Sequence, residues 1–300
     1  MKVGLINIEP KIFNTAYMQI ATYHKGRGDT VEWWTPLTHL SFDVVYCSSL
    51  FDFTDKSEIP DDVICGGTGF DVTSRLSRVM EDCELDYSIY QKCRTSFVWF
   101  SKGCNRNCPW CVVPQKEGKF HLVKRKRLNP KGRYITVMDN SFFSNPNWRD
   151  VISWLGEMPV DIQGIDVRLL TEEMVKALDG LRRWKNKQFK IAWDDGDIDL
   201  TPKLKFILRF IKPYKLMCYV LIGYYYSPDI DLLRVETLRS LGIDPFVMPY
   251  DKSDLYQRAF ARWVNHKAIF KKVPWEDYRG RVQKQEKAGC GWKHPRSGVT

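Results

Sequence analysis

Short apolar runs alternate with amphipathic segments along most of this chain of 300 residues. From about residue 95, runs of strand length are followed by segments with helical periodicity, and six such runs occur. This alternation predicts parallel strands joined by crossover helices, because parallel neighbours need a long connection. We therefore expect an α/β protein containing a partial (β/α)6 barrel of the TIM type. The predicted strands are 96–100, 134–138, 162–167, 189–193, 216–222 and 244–248, with helices over 148–155, 172–181, 202–211 and 229–241.

The first 92 residues predict a smaller Rossmann-like domain. Strands are expected over 3–8, 30–34, 44–47 and 63–65. Asn14 or Thr15 is placed to cap a helix that ends at Gly26 or Gly28. After residue 250 we expect one helix over 255–270 and a basic tail. The sequence thus predicts three parts: 1–92, 93–250 and 251–300.

The formal net charge of +10 is concentrated in two basic clusters. Residues 116–133 hold eight Lys and Arg against Glu117, and residues 267–296 hold nine against three acidic residues. A solvated basic face explains such clusters, and so does a contact with RNA or another polyanion.

Other features of the composition concern location. No apolar run approaches the ~20 residues that span a membrane, and the first residues do not resemble a signal peptide. We therefore expect a cytoplasmic protein without a membrane partner. Its nine cysteines are then expected to be reduced or to bind metal.

Cys104, Cys108 and Cys111 have the spacing CxxxCxxC directly after the first predicted barrel strand. One short loop can wrap three thiolates around an iron–sulfur cluster, and three ligands for four irons leave one iron open. Structural zinc is the alternative, but it takes four ligands. The nearest candidates for a fourth ligand, Cys93 and His121, lack a paired spacing.

CxxxCxxC with the aromatic Trp110 before the last cysteine resembles the signature of the radical S-adenosylmethionine (SAM) superfamily. The resemblance implies a 4Fe-4S cluster on the three cysteines, with SAM bound at the open iron and cleaved to a 5′-deoxyadenosyl radical. It also implies a reducing partner of the flavodoxin or ferredoxin type and places Trp110 beside the cofactors. Barrels of this superfamily have six strand–helix units, the number predicted above.

Residues 21–29 and 64–70 are similar to the cobalamin-binding domains that precede many radical SAM barrels. The DxHxxG loop that ligates cobalt in those domains is missing, because residues 9–14 read EPKIFN. The sequence therefore does not favour cobalamin. A turn at the end of a strand explains Gly66, Gly67 and Gly69 better than a ligand contact does.

In radical SAM barrels the strand ends bind SAM, and the resemblance gives roles to several residues here. Asp139 and Asn140 follow the second strand and would accept hydrogen bonds from the methionyl amine. Arg168 follows the third strand and would bind the carboxylate, for which its guanidinium is suited. From residue types alone, helix capping by Asp139 and Asn140, or pairing of Arg168 with Asp166 or Asp139, stays open.

The later strand ends complete the implied SAM site. Asp194 or Asp195 would bind the ribose hydroxyls, and the other would cap a turn. Gly223 and Met248 would line the adenine, although core packing of Met248 is an equal alternative.

The predicted function is therefore reductive cleavage of SAM for a radical reaction on an unidentified substrate. One alternative is an RNA-modifying enzyme similar to the radical SAM methylthiotransferases or methyltransferases. Methylthiotransferases carry three further cysteines in an N-terminal domain, so Cys47, Cys65 and Cys83 are the candidates for a second cluster. The other alternative is a nucleic-acid-binding protein that is not an enzyme and uses zinc as a structural staple.

Overall fold

The structure, a computed structural model, describes residues 1–185 and 187–280. They form two compact units, one of residues 1–164 and 181–185 and the other of residues 165–180 and 187–280. The chain is mixed α/β with parallel sheets, which confirms the predicted fold class at that level. The division at residues 92 and 250 stays a prediction, and the predicted tail beyond residue 280 lies outside the described residues. No helix within these ranges combines the length and the apolar character needed to cross a membrane.

The first unit begins with a parallel sheet that matches the four strands predicted for residues 1–92. Its strands are β1 (Lys2–Ile6), β2 (Thr30–Trp33), β3 (Val44–Ser48) and β4 (Ile64–Gly66), in the order β2-β1-β3-β4. Helix α1 (Thr15–Lys25) connects β1 to β2 and begins as predicted, because the Asn14 side chain accepts the Ala16 N–H at 2.9 Å. Tyr17 and Met18 on α1 are buried against this sheet.

The glycines after β4 serve the turn, as predicted. Gly67 has φ +92°, and a Cβ atom at this position would lie 2.4 Å from the Ser49 carbonyl oxygen. A Cβ atom at Gly69 would lie 2.3 Å from the Phe51 carbonyl oxygen. Only glycine lets the two backbone segments approach this closely.

A second parallel sheet of the first unit consists of three strands in sequence order, β5-β8-β9. The remaining elements of this unit are α2 (Arg78–Asp82), β5 (Thr95–Val98), β6 (Ser101–Lys102), α3 (Val113–Glu117), β7 (His121–Leu122), β8 (Tyr134–Val137), α4 (Trp148–Leu155) and β9 (Val160–Ile162). The predicted strand over 162–167 is wrong, because the chain leaves the sheet after Ile162. The Asp166 side chain accepts the Arg168 N–H at 3.1 Å and begins a 3-10 turn there.

The second unit contains a three-stranded parallel sheet in the order β10-β11-β12. Its elements are α5 (Glu172–Gly180), β10 (Phe189–Ala192), α6 (Thr201–Ile207), β11 (Leu216–Ile222), α7 (Pro228–Ser240), β12 (Asp244–Pro249), α8 (Leu255–Asn265) and α9 (Lys267–Lys272). Strand β11 has the predicted bounds, whereas the helix predicted to reach residue 211 ends at Ile207. The helix predicted over 255–270 is two helices, because His266 has ψ 86° and interrupts it.

Helix α8 packs against the edge strand β12. The Val247 N–H donates to Asn265 Oδ1 at 2.8 Å, and Asn265 Nδ2 donates to the Val247 carbonyl at 2.9 Å. Trp263 is fully buried and contacts Phe270 edge-to-face, with ring centroids 5.0 Å apart. Aromatic packing therefore holds the end of the described chain to the second unit.

Candidate functional site

The loop that carries the three cysteines is closed at its base by a two-residue antiparallel ribbon. Ser101 of β6 pairs with Leu122 of β7, and Lys102 pairs with His121. Above this ribbon, the Cys104 N–H donates to the Gly118 carbonyl at 3.2 Å. We call residues 103–120 the cysteine loop. Both of its ends are fixed by main-chain hydrogen bonds.

Gly103 lets the two ends of the cysteine loop approach each other. It has φ +72°, and a Cβ atom there would lie 2.3 Å from the Lys119 carbonyl oxygen. The left-handed conformation and the close approach both require glycine. Any other residue would open the base of the loop.

Two of the predicted ligands, Cys104 and Cys108, are half-buried, and Cys111 is exposed. A turn joins the last two, since the Cys111 N–H donates to the Cys108 carbonyl at 3.0 Å. Trp110 between them is half-buried. In the part of the chain that the structure describes, no three side chains of His, Cys, Asp or Glu are gathered so that they could hold a metal ion. Three accessible thiols in one loop fit a cluster by their donor chemistry, and the structure does not gather them around a common point.

Glu117 ties the cysteine loop to the end of β8. Its Oε2 atom accepts the Gly103 N–H at 2.8 Å and the Asn140 Nδ2–H at 2.5 Å. Sequence reasoning assigned Glu117 no role beyond its charge. One sequence feature could have marked this residue: Glu117 is the only acidic residue in the basic stretch 116–133.

Asp139 connects the end of β8 to the beginning of β6. It is 1% exposed, and its carboxylate accepts the Phe100 N–H at 2.9 Å and the Ser101 hydroxyl at 2.5 Å. Burial raises the pKa of Asp139 to about 6, and the nearby Glu117 acts in the same direction, whereas the two hydrogen bonds lower it. Both carboxylate oxygens therefore face the strand that leads into the cysteine loop.

Gly164 lies where the chain after β9 passes the end of β8. A Cβ atom there would lie 2.4 Å from the Asp139 carbonyl oxygen and 2.6 Å from that of Asn140. A glycine is therefore needed to bring the ends of these two strands together. Asp139, Asn140 and Gly164 stand at the carboxyl edge of the sheet that carries the cysteine loop.

Arg168 lies in the second unit and pairs with Asp166, one of the two partners left open by the sequence. Its Nε and Nη2 atoms donate to the two carboxylate oxygens at 2.8 and 3.1 Å, a bidentate geometry. The Arg168 side chain is 30% exposed.

Asp194 and Asp195 follow β10 and have different surroundings. Asp194 accepts the Leu221 N–H at 2.9 Å, and burial raises its pKa. Asp195 accepts the Asp197 N–H at 3.1 Å in a turn and the Tyr226 hydroxyl at 2.8 Å. Of the two, Asp195 has the turn geometry that the sequence predicted for one member of the pair.

Gly223 directly follows β11, and Met248 belongs to the neighbouring strand β12. Gly223 has φ +77°, and a Cβ atom there would lie 2.1 Å from the side chain of Gln257. The space beside this glycine is thus filled by Gln257 of α8, which is 6% exposed. Met248 is half-buried on β12 and is the register partner of Leu221.

Arg234 of α7 is a buried cation that no sequence signal singled out. It is 1% exposed and pairs with the fully buried Asp231 at 2.6 Å. Its guanidinium also donates to the carbonyls of Trp193 at 2.8 Å, Asp194 at 3.0 Å and Leu221 at 2.8 Å. Arg234 therefore binds the ends of β10 and β11 together at the backbone of a predicted ribose-binding residue.

The predicted site residues are thus divided between the two units. Cys104, Cys108, Cys111, Trp110, Asp139 and Asn140 belong to the first, and Arg168, Asp194, Asp195, Gly223 and Met248 belong to the second.

The segment after β1 does not fit cobalamin. Glu9 occupies the position where a ligand loop would begin, and it folds the segment onto the turn after β3. Its carboxylate accepts the N–H groups of Leu50 at 3.0 Å and Phe51 at 3.1 Å, and the Thr54 hydroxyl at 2.7 Å. These hydrogen bonds lower the pKa of Glu9 against the effect of burial. No imidazole is offered to cobalt by this segment.

Among the other cysteines, Cys47 and Cys65 are register partners on β3 and β4. Burial raises the pKa of Cys47 to about 12, so the thiolate that a metal needs is disfavoured. Cys83 ends α2, and its thiol donates to the Val79 carbonyl at 3.3 Å. A second cluster on these three cysteines stays a prediction.

The basic cluster over 116–133 is partly used inside the first unit. Arg125 stacks on Trp154, with its guanidinium carbon 4.0 Å from the ring centroid. Lys126 donates to the main-chain carbonyls of Glu81 at 3.0 Å and Asp82 at 2.7 Å. The second cluster, over 267–296, lies in part beyond residue 280 and so outside the described residues. The exposed cations of the first cluster are Lys119, Lys124, Arg125, Arg127, Lys131 and Arg133.

No family model matches this chain, and no curated protein matches it.

Proposed function

We propose that this protein is a radical SAM enzyme in which Cys104, Cys108 and Cys111 bind a 4Fe-4S cluster. The observation that carries the proposal is the closed cysteine loop, which holds three accessible thiols above the short antiparallel ribbon that follows the parallel strand β5. Ligands of α/β proteins bind at the carboxyl ends of parallel strands, and β5 ends at Val98, five residues before the loop begins at Gly103. When bound, such a cluster supplies the electron that cleaves SAM, and a flavodoxin or ferredoxin would provide it.

The finer fold prediction, one partial barrel of six strands, is part of this proposal. Each of the two three-stranded sheets has its strands in sequence order and parallel, which is the connectivity that a (β/α)6 barrel needs. Asp194 and Gly223 follow the ends of β10 and β11, and Met248 lies near the end of β12. This placement supports the proposed roles of Asp194 and Met248, whereas Arg168 lies six residues after β9 and the space beside Gly223 is filled by Gln257.

Within the first unit, two carboxylates have positioning roles. Asp139 holds the strand before the cysteine loop, and Glu117 holds the loop to Asn140. The Asn140 amide donates to Glu117, and its carbonyl oxygen is an acceptor suited to the methionyl amine. Asn140 is therefore the better candidate for contact with SAM, and Asp139 acts through the loop.

Anaerobic reconstitution with iron and sulfide tests the proposal. The unsubstituted protein should take up about four irons per chain, show a broad visible absorption and form 5′-deoxyadenosine from SAM under a strong reductant. Cys108→Ala should lose iron and activity, whereas Cys218→Ala, the matched control at a buried cysteine of β11, should keep both. Failure of the unsubstituted protein to bind iron would refute the proposal.

Zinc is separated from iron by elemental analysis of the protein as purified. If the protein instead uses zinc as a structural staple and is not an enzyme, it should contain one zinc per chain. It should then take up no iron on reconstitution and show no absorption in the visible range.

A second candidate function, modification of RNA, is favoured by the exposed cations of the 116–133 cluster. Phosphate contacts make the logarithm of the binding constant fall linearly with the logarithm of salt concentration. Titration of tRNA at several salt concentrations should give such a line. The double variant Lys124→Met, Arg127→Met should reduce its slope by roughly two. Absence of binding at low salt would remove this candidate.

A further inference from the structure

A cleft of about 380 Å³ opens at the carboxyl edge of the N-terminal sheet. The chain turns one way from β1 to β2 and the other way from β3 to β4, so the topological switch point lies between β1 and β3. Asn14 after β1, Ser48 at the end of β3 and Gly66 at the end of β4 all line the cleft. Ligands of open α/β sheets bind at this position.

One side of the cleft is cationic. Arg75 and Lys116 both line it, and burial together with the neighbouring Arg75 lowers the pKa of Lys116. The Lys116 ammonium donates to the Ser74 carbonyl, and Arg75 donates to the Gln115 carbonyl at 3.3 Å. These contacts orient the Lys116 ammonium and one end of the exposed Arg75 guanidinium. They use only part of the donors, since an ammonium has three and a guanidinium five. Two neighbouring cations favour a bound anion with several acceptor oxygens.

A third cation in the cleft is already neutralised. Lys102 pairs with Glu81 at 2.5 Å, and both side chains line the cleft. The anion is therefore expected at Arg75 and Lys116 and not at Lys102.

Other parts of the wall are apolar or hydroxyl-bearing. Ile20, Leu76 and Met80 supply an apolar surface. Asn14 Nδ2 donates to the Ser48 hydroxyl at 2.9 Å, which fixes both side chains at the cleft. The volume lies within the ~300–1,000 Å³ typical of small-molecule sites. An anion, a sugar with hydroxyls and a flat apolar ring would match these three kinds of surface.

We propose that this cleft binds a nucleoside 5′-monophosphate, either free or as the terminal nucleotide of an RNA chain, with its phosphate at Arg75 and Lys116. The site does not depend on a metal cluster. It shares a wall with the cysteine loop, because Glu117 lines the cleft and also accepts the Gly103 N–H. A nucleotide bound there would lie against the segment that carries the three cysteines.

Isothermal titration calorimetry of the full chain, without reconstitution, tests the site. The probes are AMP, GMP, CMP and UMP, with inorganic phosphate and a 5′-phosphorylated oligoribonucleotide as comparisons. At least one nucleotide should bind with a Kd below the millimolar range and more tightly than inorganic phosphate. Tighter binding of the mononucleotide indicates a free nucleotide, and tighter binding of the oligonucleotide indicates an RNA end.

Three variants locate the binding. Lys116→Met removes one cation and should weaken binding about tenfold or more, because hydrogen bonds to charged groups are strong. Ala16→Leu adds volume to the wall of the cleft and should weaken it to a similar extent. Lys92→Met removes one charge from an exposed lysine outside the cleft and should change little.

Hydrogen exchange of the unsubstituted protein gives a readout that does not depend on how the variants fold. The bound nucleotide should slow exchange at residues 14–16 and 66–68. The proposal is overturned if all four nucleotides fail to bind, or if exchange at these residues is unchanged under saturating nucleotide. It is also overturned if folded Lys116→Met and Ala16→Leu bind as the unsubstituted protein does. None of these results bears on iron binding, so the proposed radical SAM function is tested separately.

Discussion

Replacement of Asp139 by asparagine should change how the stability of the protein depends on pH. In the folded chain burial raises the pKa of Asp139 to about 6 from an ordinary value of 3.8. Between these values the folded chain binds one more proton than the unfolded chain does. The free energy of unfolding therefore falls as the pH rises through this range.

The size of the effect follows from the pKa values. A rise from 3.8 to about 6 corresponds to about 3 kcal/mol, lost between about pH 4 and pH 6 and not regained above it. An asparagine side chain at this position would have no proton to lose. Its carbonyl oxygen can still accept the Phe100 N–H, and its amide can donate to the Ser101 hydroxyl oxygen. The free energy of unfolding of Asp139→Asn, measured relative to that of the unsubstituted protein, should therefore rise by about 3 kcal/mol between about pH 4 and about pH 7.

Urea unfolding followed by circular dichroism at several pH values measures this difference. Asp150→Asn, at an exposed position on α4, is the matched control and should show no comparable change with pH. The reasoning is refuted if the difference in the free energy of unfolding between Asp139→Asn and the unsubstituted protein is the same at every pH, or if it changes in the opposite direction. Either result would show that Asp139 is not buried as described.

Three further predictions concern stability and the cysteine loop. Glu117→Ala should lose both hydrogen bonds of the carboxylate and increase hydrogen exchange in the loop by about tenfold, with Glu117→Gln retaining part of the protection. Arg234→Met should cost about 3–5 kcal/mol in urea unfolding, because it leaves a buried carboxylate unpaired, and adding Asp231→Leu should restore part of the loss. Gly223→Ala should cost clearly more than Gly28→Ala, although both have positive φ, since a Cβ atom meets a side chain at 2.1 Å in the first and nothing within 4 Å in the second. Equal costs for the two glycines would contradict the packing.

Local sequence signals account for the elements that were predicted well. Strand β11 is an apolar run, and α1 begins after Asn14, a good capping residue. The prediction failed at two places where the backbone changes direction inside a predicted element. The chain leaves the sheet after Ile162, and Asp166 caps a 3-10 turn within the residues predicted as strand. The non-helical backbone at His266 divides the last predicted helix. Apolar periodicity does not register either event.

The candidate site was predictable to the extent that its residues stand together in the sequence. The three cysteines of the cysteine loop lie close together in the sequence, so their spacing was enough to identify the loop. The connections of Glu117 to Asn140 and of Arg234 to the ends of β10 and β11 join residues 23 and up to 41 positions apart. No local pattern marks such contacts. The sequence around Arg234 does not show that its side chain is buried, because the burial depends on where β10 and β11 lie.

The two-residue ribbon at the base of the cysteine loop has a consequence for the order of assembly. Bringing the two ends of the cysteine loop together lowers the conformational entropy of the chain. Because the ribbon closes the loop, this entropy is lost when the first unit folds and not when a ligand binds. Zinc fingers differ in this respect, because they have no folded state without metal. The metal-free protein should therefore be folded, and a cysteine variant should be purified as a folded protein whose iron content can be compared directly with that of the unsubstituted chain.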